Sequence, residues 1–343
     1  MADVSGTKPE SNTGETADTA AEVKQPEGYV YASYGPEKFL RDAIISALTL
    51  RRYDRKRPIS LVCCKKHRQL LKSLPFDPPF DLVLDLDDDH QSIIGYKHNL
   101  HHYMPFVRNL YLDSDMIWCR DPDRLWLSLR PYPYTITGQE SADVFFGSHK
   151  NIRILSDILL RRRQRTLKRF GLNSLARVQT GVMYAADAGI TRKVNRLAAD
   201  ILKRKSETHF VSRRKEKGRN LESCEWSLGM AVTMLNLHVY PWFNAQESIQ
   251  LDFIHPLTKA NANYSEVSCK YYCNPFIHSL RGIENNLARN FLFTLFRLLP
   301  RGNDHMWVTP YILHFGWGHQ KPWFDQFVNR EWDKLTSSGD KSS

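Results

Sequence analysis

The chain lacks the short motifs that mark several large enzyme classes. It has no Walker loop and no G-x-G-x-x-G segment, so neither P-loop phosphate chemistry nor dinucleotide binding is indicated. His98, His101 and His102 lie close together. No Glu follows His98, however, and the zinc-protease pattern is absent. Cysteine is sparse: Cys63, Cys64, Cys119, Cys224, Cys269 and Cys273 are the only six in 343 residues. None has zinc-site spacing, since Cys269 and Cys273 lack a second Cys/His pair, and reduced thiols in a cytoplasmic-type compartment are expected. No run of 18 apolar residues occurs, so no transmembrane helix is expected. The first 27 residues are polar, with no apolar run, and read as a disordered tail, not a targeting segment. There is no internal repeat.

Two stretches lack acid, or nearly so, and are crowded with base. Arg161 to Arg169 holds six basic residues and no acid, and Lys203 to Arg219 holds eight basic residues against two acids. Together they account for more than the net charge of +11, so the rest of the chain is close to neutral. This pattern differs from a uniformly basic nucleic-acid binder. The patches also lack interleaved aromatics, which argues against stacking on single strands. A basic balance speaks to anionic partners and not to fold.

Hydrophobic residues make up 42% of the chain, enough for a sizeable core. Apolar runs alternate with helical periodicity along the first third. Tyr29 to Gly35, Ile59 to Cys64, Phe80 to Asp87 and Asn109 to Trp118 read as strands, the last stopping in acidic residues. Helices are expected at 37–53, through Leu71 and Leu74, and from His98 to Phe106. This alternation predicts an α/β fold with a mostly parallel sheet flanked by helices. Ligands in such sheets sit beyond the carboxyl ends of the strands. After Pro122 the order loosens into an α+β portion. Strands are expected near 134–137, 144–146, 181–185 and 239–243, and helices near 152–170, 192–205 and 222–235. Asp121-Pro122-Asp123 reads as a helix start. Asp85-Leu86-Asp87-Asp88-Asp89 reads as a solvated turn. Asn286 to Leu299 is a strongly apolar helix ending at Pro300, read as an ordinary buried helix.

The sharpest chemical signal is Leu110-Tyr111-Leu112-Asp113-Ser114-Asp115. An apolar strand delivers two carboxylates one residue apart, and i and i+2 in extended backbone share a face. Two hard oxygen donors in one crevice suit Mn²⁺ or Mg²⁺. Late in the chain stands His314-Phe315-Gly316-Trp317-Gly318-His319-Gln320-Lys321-Pro322-Trp323, after the short apolar run Tyr311-Ile312-Leu313. It pairs an imidazole, a metal ligand, with flexible glycines and a lysine suited to phosphate oxygens.

These segments resemble the glycogenin and lipopolysaccharide-galactosyltransferase family of retaining glycosyltransferases, which have the GT-A fold, Rossmann-like in its sheet. The resemblance spans about residues 29 to 325. It runs through Tyr31-Ala32-Ser33-Tyr34, Lys97, Asp113-Ser114-Asp115, Gln179-Thr180-Gly181, Glu222-x-x-Glu225 and His314 to Trp323. It implies a nucleotide-sugar-binding part at 28–125, an acceptor-side part of the same domain at 126–330, and a flexible C-terminus at 331–343. It further implies a metal held by Asp113, Asp115 and His314. The donor would be a UDP-sugar contacted by Tyr31, Ala32, Ser33, Tyr34, Lys97, Asp113, Ser114, Asp115, Gln179, Thr180, Gly181, Gly318 and Lys321. Glu225, or else Glu222, would stand at the anomeric carbon. Two departures stand out. Lys321 follows His314 by seven residues where the family usually has six, so either the loop is longer or His319 shares the role. Glu222-Ser223-Cys224-Glu225-Trp226 replaces the usual Asp-x-x-Asp-Gln.

Two other functions compete with the transferase reading. One is a non-enzymatic nucleic-acid-binding protein using the basic patches. The other refines the transferase: a cytoplasmic enzyme, peripheral on an anionic membrane, acting on a lipid acceptor and docking through the patches and the Phe291 to Leu299 surface. Sequence alone leaves the acceptor open between an acidic molecule and a membrane.

Overall fold

Apolar residues without polar interruption form strands that can only be satisfied by covering both faces. The computed structural model describes residues 25–142, 157–210, 223–244, 247–273, 277, 280, 283 and 285–339. Strand β1 (Glu27–Ser33) pairs in parallel with β2 (Ile59–Cys63), Tyr29 lying opposite Ile59. β3 (Leu82–Asp85) extends the sheet beyond β2, and β4 (Arg108–Leu112) pairs in parallel with β1 on the other side. β7 (Arg177–Ala185) runs antiparallel to β4 and to β6 (Tyr134–Gln139). β8 (Tyr240–Pro241) closes the order β3-β2-β1-β4-β7-β6-β8. The sheet is thus mostly parallel and flanked by helices, as expected.

Period-two alternation divides its side chains between two cores. Val30, Val62, Tyr111 and Met183 face α6 (Ala188–Lys203) and α7 (Cys224–Met234). Tyr29, Tyr31, Leu61 and Leu110 face α1 (Lys38–Arg51) and α4 (Asp123–Leu129). On α1 helical spacing brings Leu40, Ala43, Ile44, Ala47 and Leu50 to the sheet, all buried. Each large side chain so buried contributes about 1.5–3 kcal/mol. α2 (Lys65–Lys72) and the short α3 (Ile93–Lys97) complete this half.

A second sheet sets up the site. β5 (Met116–Trp118) leaves the main sheet and pairs antiparallel with β13 (Ile312–His314), which pairs in parallel with β9 (Gln250–Asp252). Helix α9 (Lys321–Gly339) covers it with Phe324, Phe327 and Val328. A third sheet, β10 (Thr258–Ala260), β11 (Val267–Tyr272) and β12 (His305–Val308), carries α8 (Asn286–Arg297).

Several expectations need correction. The run 109–118 is not one strand: backbone bends at Ser114 and Asp115 split it into β4 and β5, which belong to different sheets. No helix runs from His98 to Phe106. Only a single 3₁₀ turn, Leu100–His102, follows α3, because Pro105 disfavours helical backbone at Met104. The apolar helix α8 is not buried. Only Arg289 and Phe293 are, while Leu287 is 82% and Phe291 67% exposed. The helix expected at 152–170 is broken at Arg161, whose φ of 48° is left-handed, and resumes as α5 (Arg162–Arg169). Its start at 152–156 and the strand expected at 144–146 fall outside the described residues. The chain is ordered from at least Glu27, where β1 begins.

The two basic stretches meet in space. Arg169 donates to the Glu207 carbonyl at 3.2 Å, and Arg204 lies 4.4 Å from the Phe170 ring. Next in the chain, Phe210 stacks on Trp226 of α7 at 4.8 Å. Residues 211–219 of the second stretch lie outside the described residues. The acidic run at 85–89 is exposed except for Leu86, with Asp85 bound to Arg68 at 2.7 Å. Among the described residues no helix is long and apolar enough to cross a membrane.

Candidate active site

The seam between the two sheets is where chemistry collects. β4 ends at Leu112, the chain turns through Asp113-Ser114-Asp115, and β5 begins at Met116, which sits opposite His314 in the ladder. His314 in turn sits opposite Asp252. Backbone bonds clamp the turn from both sides: Asp113 donates to the Gly181 carbonyl at 2.9 Å, and Phe315 donates to the Asp115 carbonyl at 3.0 Å. Residues 200 positions apart are therefore held by sheet register, not by a flexible loop.

Asp113, Asp115 and His314 each offer a ligand atom, and these atoms lie within 4.8 Å of one another. Three features of the structure fit a divalent cation there. Asp115 Oδ1 is buried without a hydrogen-bond partner, 3.5 Å from His314 Nε2. Gly316 lies flat against the imidazole, where a Cβ would come within 2.4 Å of Cε1 and 2.9 Å of Nε2. Gly181 likewise leaves room, since a Cβ there would stand 3.4 Å from Nε2. The donor set of two carboxylates and an imidazole suits Mn²⁺ or Mg²⁺ and keeps positions open for other oxygens.

Two lysines hold the carboxylates. Lys97 Nζ is 2.7 Å from Asp113 Oδ1 and donates to the Thr180 carbonyl and hydroxyl at 2.9 and 3.2 Å. Burial alone would lower its pKa, but the Asp113 charge outweighs it and holds the ammonium above its ordinary range. Lys321, at the start of α9, forms a short ion pair with Asp115 Oδ2. Burial would raise the Asp115 pKa, yet Lys321 and His314 together hold it well below the carboxylate range. His314 is raised to about 10: burial opposes the charge, and Asp115 and Asp252 overcome it. Two ammonium groups thus stand beside the carboxylates, and Asp115 and Asp252 favour the protonated His314 ring while no cation is bound.

Not every expected donor residue points here. The Tyr31 side chain is fully buried in the core, its hydroxyl 3.1 Å from Ser46 Oγ and 3.3 Å from the Trp118 indole nitrogen. Ser33 is bound to His67 at 2.8 Å. Tyr34, half-buried like Ala32, lies near enough to Lys97 to influence its charge. Ser114 is half-buried between the two acids. Gln179 meets His314 Nδ1 at 2.7 Å, and Gly318 stands in open space. Glu225 opens α7, next to Cys224, whose thiol is 3.3 Å from Thr180 Oγ1. Ser223 donates to Glu225 Oε2 at 3.2 Å. Glu222 lies outside the described residues. His319 is not one of the three clustered groups.

The sequence reading missed Asp252, Gln250 and Asp42. Asp42, on α1, is raised to about 6 by burial, opposed by Lys38 and Lys321. For Asp252 a signal existed: it is the lone acid in the apolar run 249–254.

No family model matches the chain, and no curated protein matches it. Among similar solved structures are three glycosyltransferases, each at low identity. The galactosyltransferase LgtC, in complex with donor and acceptor sugar analogs, is 12% identical over 90% of this chain and 99% of its own, with a TM-score of 0.47. The glycosyltransferase GlyE of Streptococcus pneumoniae TIGR4 is 12% identical over 91% of this chain and 64% of its own, at 0.42. Mouse xyloside xylosyltransferase 1 is 14% identical over 66% of this chain and 87% of its own, at 0.40.

Proposed function

We propose that the chain is a metal-dependent glycosyltransferase that moves a sugar from a nucleotide-sugar, a UDP-sugar by resemblance, to an acceptor with retention of anomeric configuration. The observation that carries this reading is the meeting of Asp113, Asp115 and His314 within 4.8 Å, flanked by Lys97 and Lys321. When bound there, Mn²⁺ or Mg²⁺ would supply Lewis-acid polarisation of the leaving diphosphate.

The chain's own residues do the rest. Lys97, buried and held by four oxygens, fixes the Asp113 carboxylate. Lys321 is half-exposed, and its ammonium can move from Asp115 to a phosphate oxygen, meeting charge that grows as the glycosidic bond breaks. The anomeric carbon would become oxocarbenium-like, and by the resemblance Glu225, or else Glu222, would be the carboxylate that steadies it. Ser33, Ala32 and Tyr34 form the strand end over which the nucleoside would lie. Hydrolysis of a panel of nucleotide-sugars with Mn²⁺ and no acceptor tests the reading. Release of nucleoside diphosphate that stops in EDTA is expected. Full activity in EDTA, or no nucleoside diphosphate binding by calorimetry with Mn²⁺, sinks it.

A second layer of the reading concerns place of action. Leu287, Phe291 and Leu295 recur every fourth residue of α8 and are all exposed, with Leu298 (79% exposed) and Leu299 beyond them. Arg297 and Arg301 flank this stripe. Apolar stripe and basic rim suit an anionic bilayer surface, and a lipid-linked acceptor would then be met there. Co-sedimentation with phosphatidylcholine vesicles, with and without phosphatidylserine, tests this. No binding to either removes the membrane part and leaves the transferase.

A further inference from the structure

His314 has two ring nitrogens, and only one faces the paired acids. Nε2 lies 3.5 Å from Asp115 Oδ1, while Nδ1 points the other way, 3.0 Å from Asp252 Oδ1. Asp252 is sealed: its side chain is 2% exposed. Its second oxygen, Oδ2, accepts from the Trp317 indole N–H at 3.2 Å. A competitor is present. The Gln179 amide nitrogen is 2.7 Å from His314 Nδ1 and 3.2 Å from Asp252 Oδ1, and its own oxygen accepts from Gln250 at 2.5 Å.

The competition matters because an imidazole binds a cation only through an unprotonated nitrogen. An ionised carboxylate can only accept, so facing Nδ1 it keeps the proton there and leaves the Nε2 lone pair toward the acids. An amide N–H facing Nδ1 does the reverse: it donates, and the proton shifts to Nε2. We propose that Asp252 is a positioning residue that selects the His314 tautomer able to take a metal, against the opposing pull of Gln179. This rests on the metal-dependent reading above. Asp252 acts only through His314.

The isosteric Asp252→Asn variant separates this role from mere packing. Trp317 N–H must keep an acceptor, so the Asn oxygen stays with Trp317 and its NH₂ turns to His314 Nδ1. Shape is preserved while the preferred tautomer is inverted. Mn²⁺ is titrated into the full-length protein, free Mn²⁺ being read by electron paramagnetic resonance, with and without uridine diphosphate. Asp252→Asn should bind Mn²⁺ about 10–100-fold more weakly than wild type while its melting in EDTA stays close to wild type. Gln179→Met removes the competing donor and should keep or tighten Mn²⁺ binding, and it serves as the test if the Asn variant does not fold. Asn binding within about threefold of wild type, or Gln179→Met weakening Mn²⁺ binding, overturns the proposal. Absence of Mn²⁺ binding by the wild-type chain sinks the metal reading along with it, whereas binding indifferent to Asp252 sinks only this inference.

Discussion

Tyr29, Tyr31, Leu110 and Tyr111 of the central sheet are all 2% exposed or less, each locked between helices and strands from several parts of the chain. On α8 and just after it, by contrast, Leu287, Phe291 and Leu298 stand more than half exposed. Both segments carry the large apolar residues of a buried element. What differs is the company topology provides: β1 has neighbours on both edges and helices on both faces, while α8 packs only Phe293 and its nearest neighbours onto the β11 sheet. Hydrophobicity tells that a face needs covering. It does not tell whether the cover is within the chain.

The site belongs to the rigid side of this contrast, and its loss should give the largest effect. Asp113→Asn removes one negative oxygen donor without changing shape. Transfer or donor hydrolysis should fall on the order of a thousandfold, the several kcal/mol expected when metal polarisation is lost. Melting in EDTA should also fall, because the buried Lys97 loses the charge that holds it, so activity is compared at a temperature where the variant is folded. A variant that retains a tenth of the activity breaks the assignment.

Leu110→Ala opens a cavity beneath the sheet and should cost about 2–5 kcal/mol in denaturant unfolding. Leu287→Ala, 82% exposed, should leave stability within about 0.5 kcal/mol and instead lower vesicle binding. Equal stability losses at the two positions would show α8 to be covered in the folded protein after all.

How much of this was legible beforehand follows the same line. The Asp113-Ser114-Asp115 pair and His314 could be picked out because strand ends bearing acids, and a His beside glycines and a lysine, are local patterns. The four parallel strands β1 to β4 were equally legible from apolar runs at short spacing. Asp252 stood out only as a lone acid in an apolar run; its role was not legible, because it arises from β9 pairing with β13 across 62 positions of chain. The splitting of β4 from β5 was missed since both halves are apolar and strand-like, and only the change of sheet separates them. The meeting of the two basic stretches was equally invisible, as it depends on α5 lying against the turn after α6.

A smaller effect should appear with pH. His314 is raised to about 10, so its contribution to the stability of the metal-free protein is fully present below the unfolded value near 6.5 and is lost as pH rises through about 10. The metal needs the deprotonated ring, so Mn²⁺ binding should tighten by about tenfold per pH unit across that window and release about one proton. Calorimetry in buffers of different ionisation enthalpy reads the proton directly. Binding with no proton release would mean that His314 is already neutral and the acid cluster less tightly coupled than its geometry indicates.

The smallest effect should come from the basic surface, whose charged side chains on α5 are mostly exposed. Arg161, Arg165 and Lys168 are exposed on or beside α5, whereas Arg163 donates to the Ala142 carbonyl at 2.8 Å and helps hold the backbone. The first three are therefore the ones to reverse. This surface adjoins Phe210, which stacks on Trp226, the residue after Glu225, and under the proposed function that is the acceptor side. Six basic residues without an acid in Arg161 to Arg169 should draw an anionic acceptor or bilayer there. Arg161→Glu/Arg165→Glu/Lys168→Glu should weaken acceptor use or vesicle binding roughly fivefold and leave donor hydrolysis unchanged, because none of the three touches the Asp113 cluster. The wild-type advantage should shrink as salt rises, since exposed charges are screened within about 8 Å at physiological ionic strength. Unchanged acceptor kinetics and salt-independent vesicle binding in the triple variant would make this face a plain solvated surface, and would assign any membrane attachment to the α8 stripe alone.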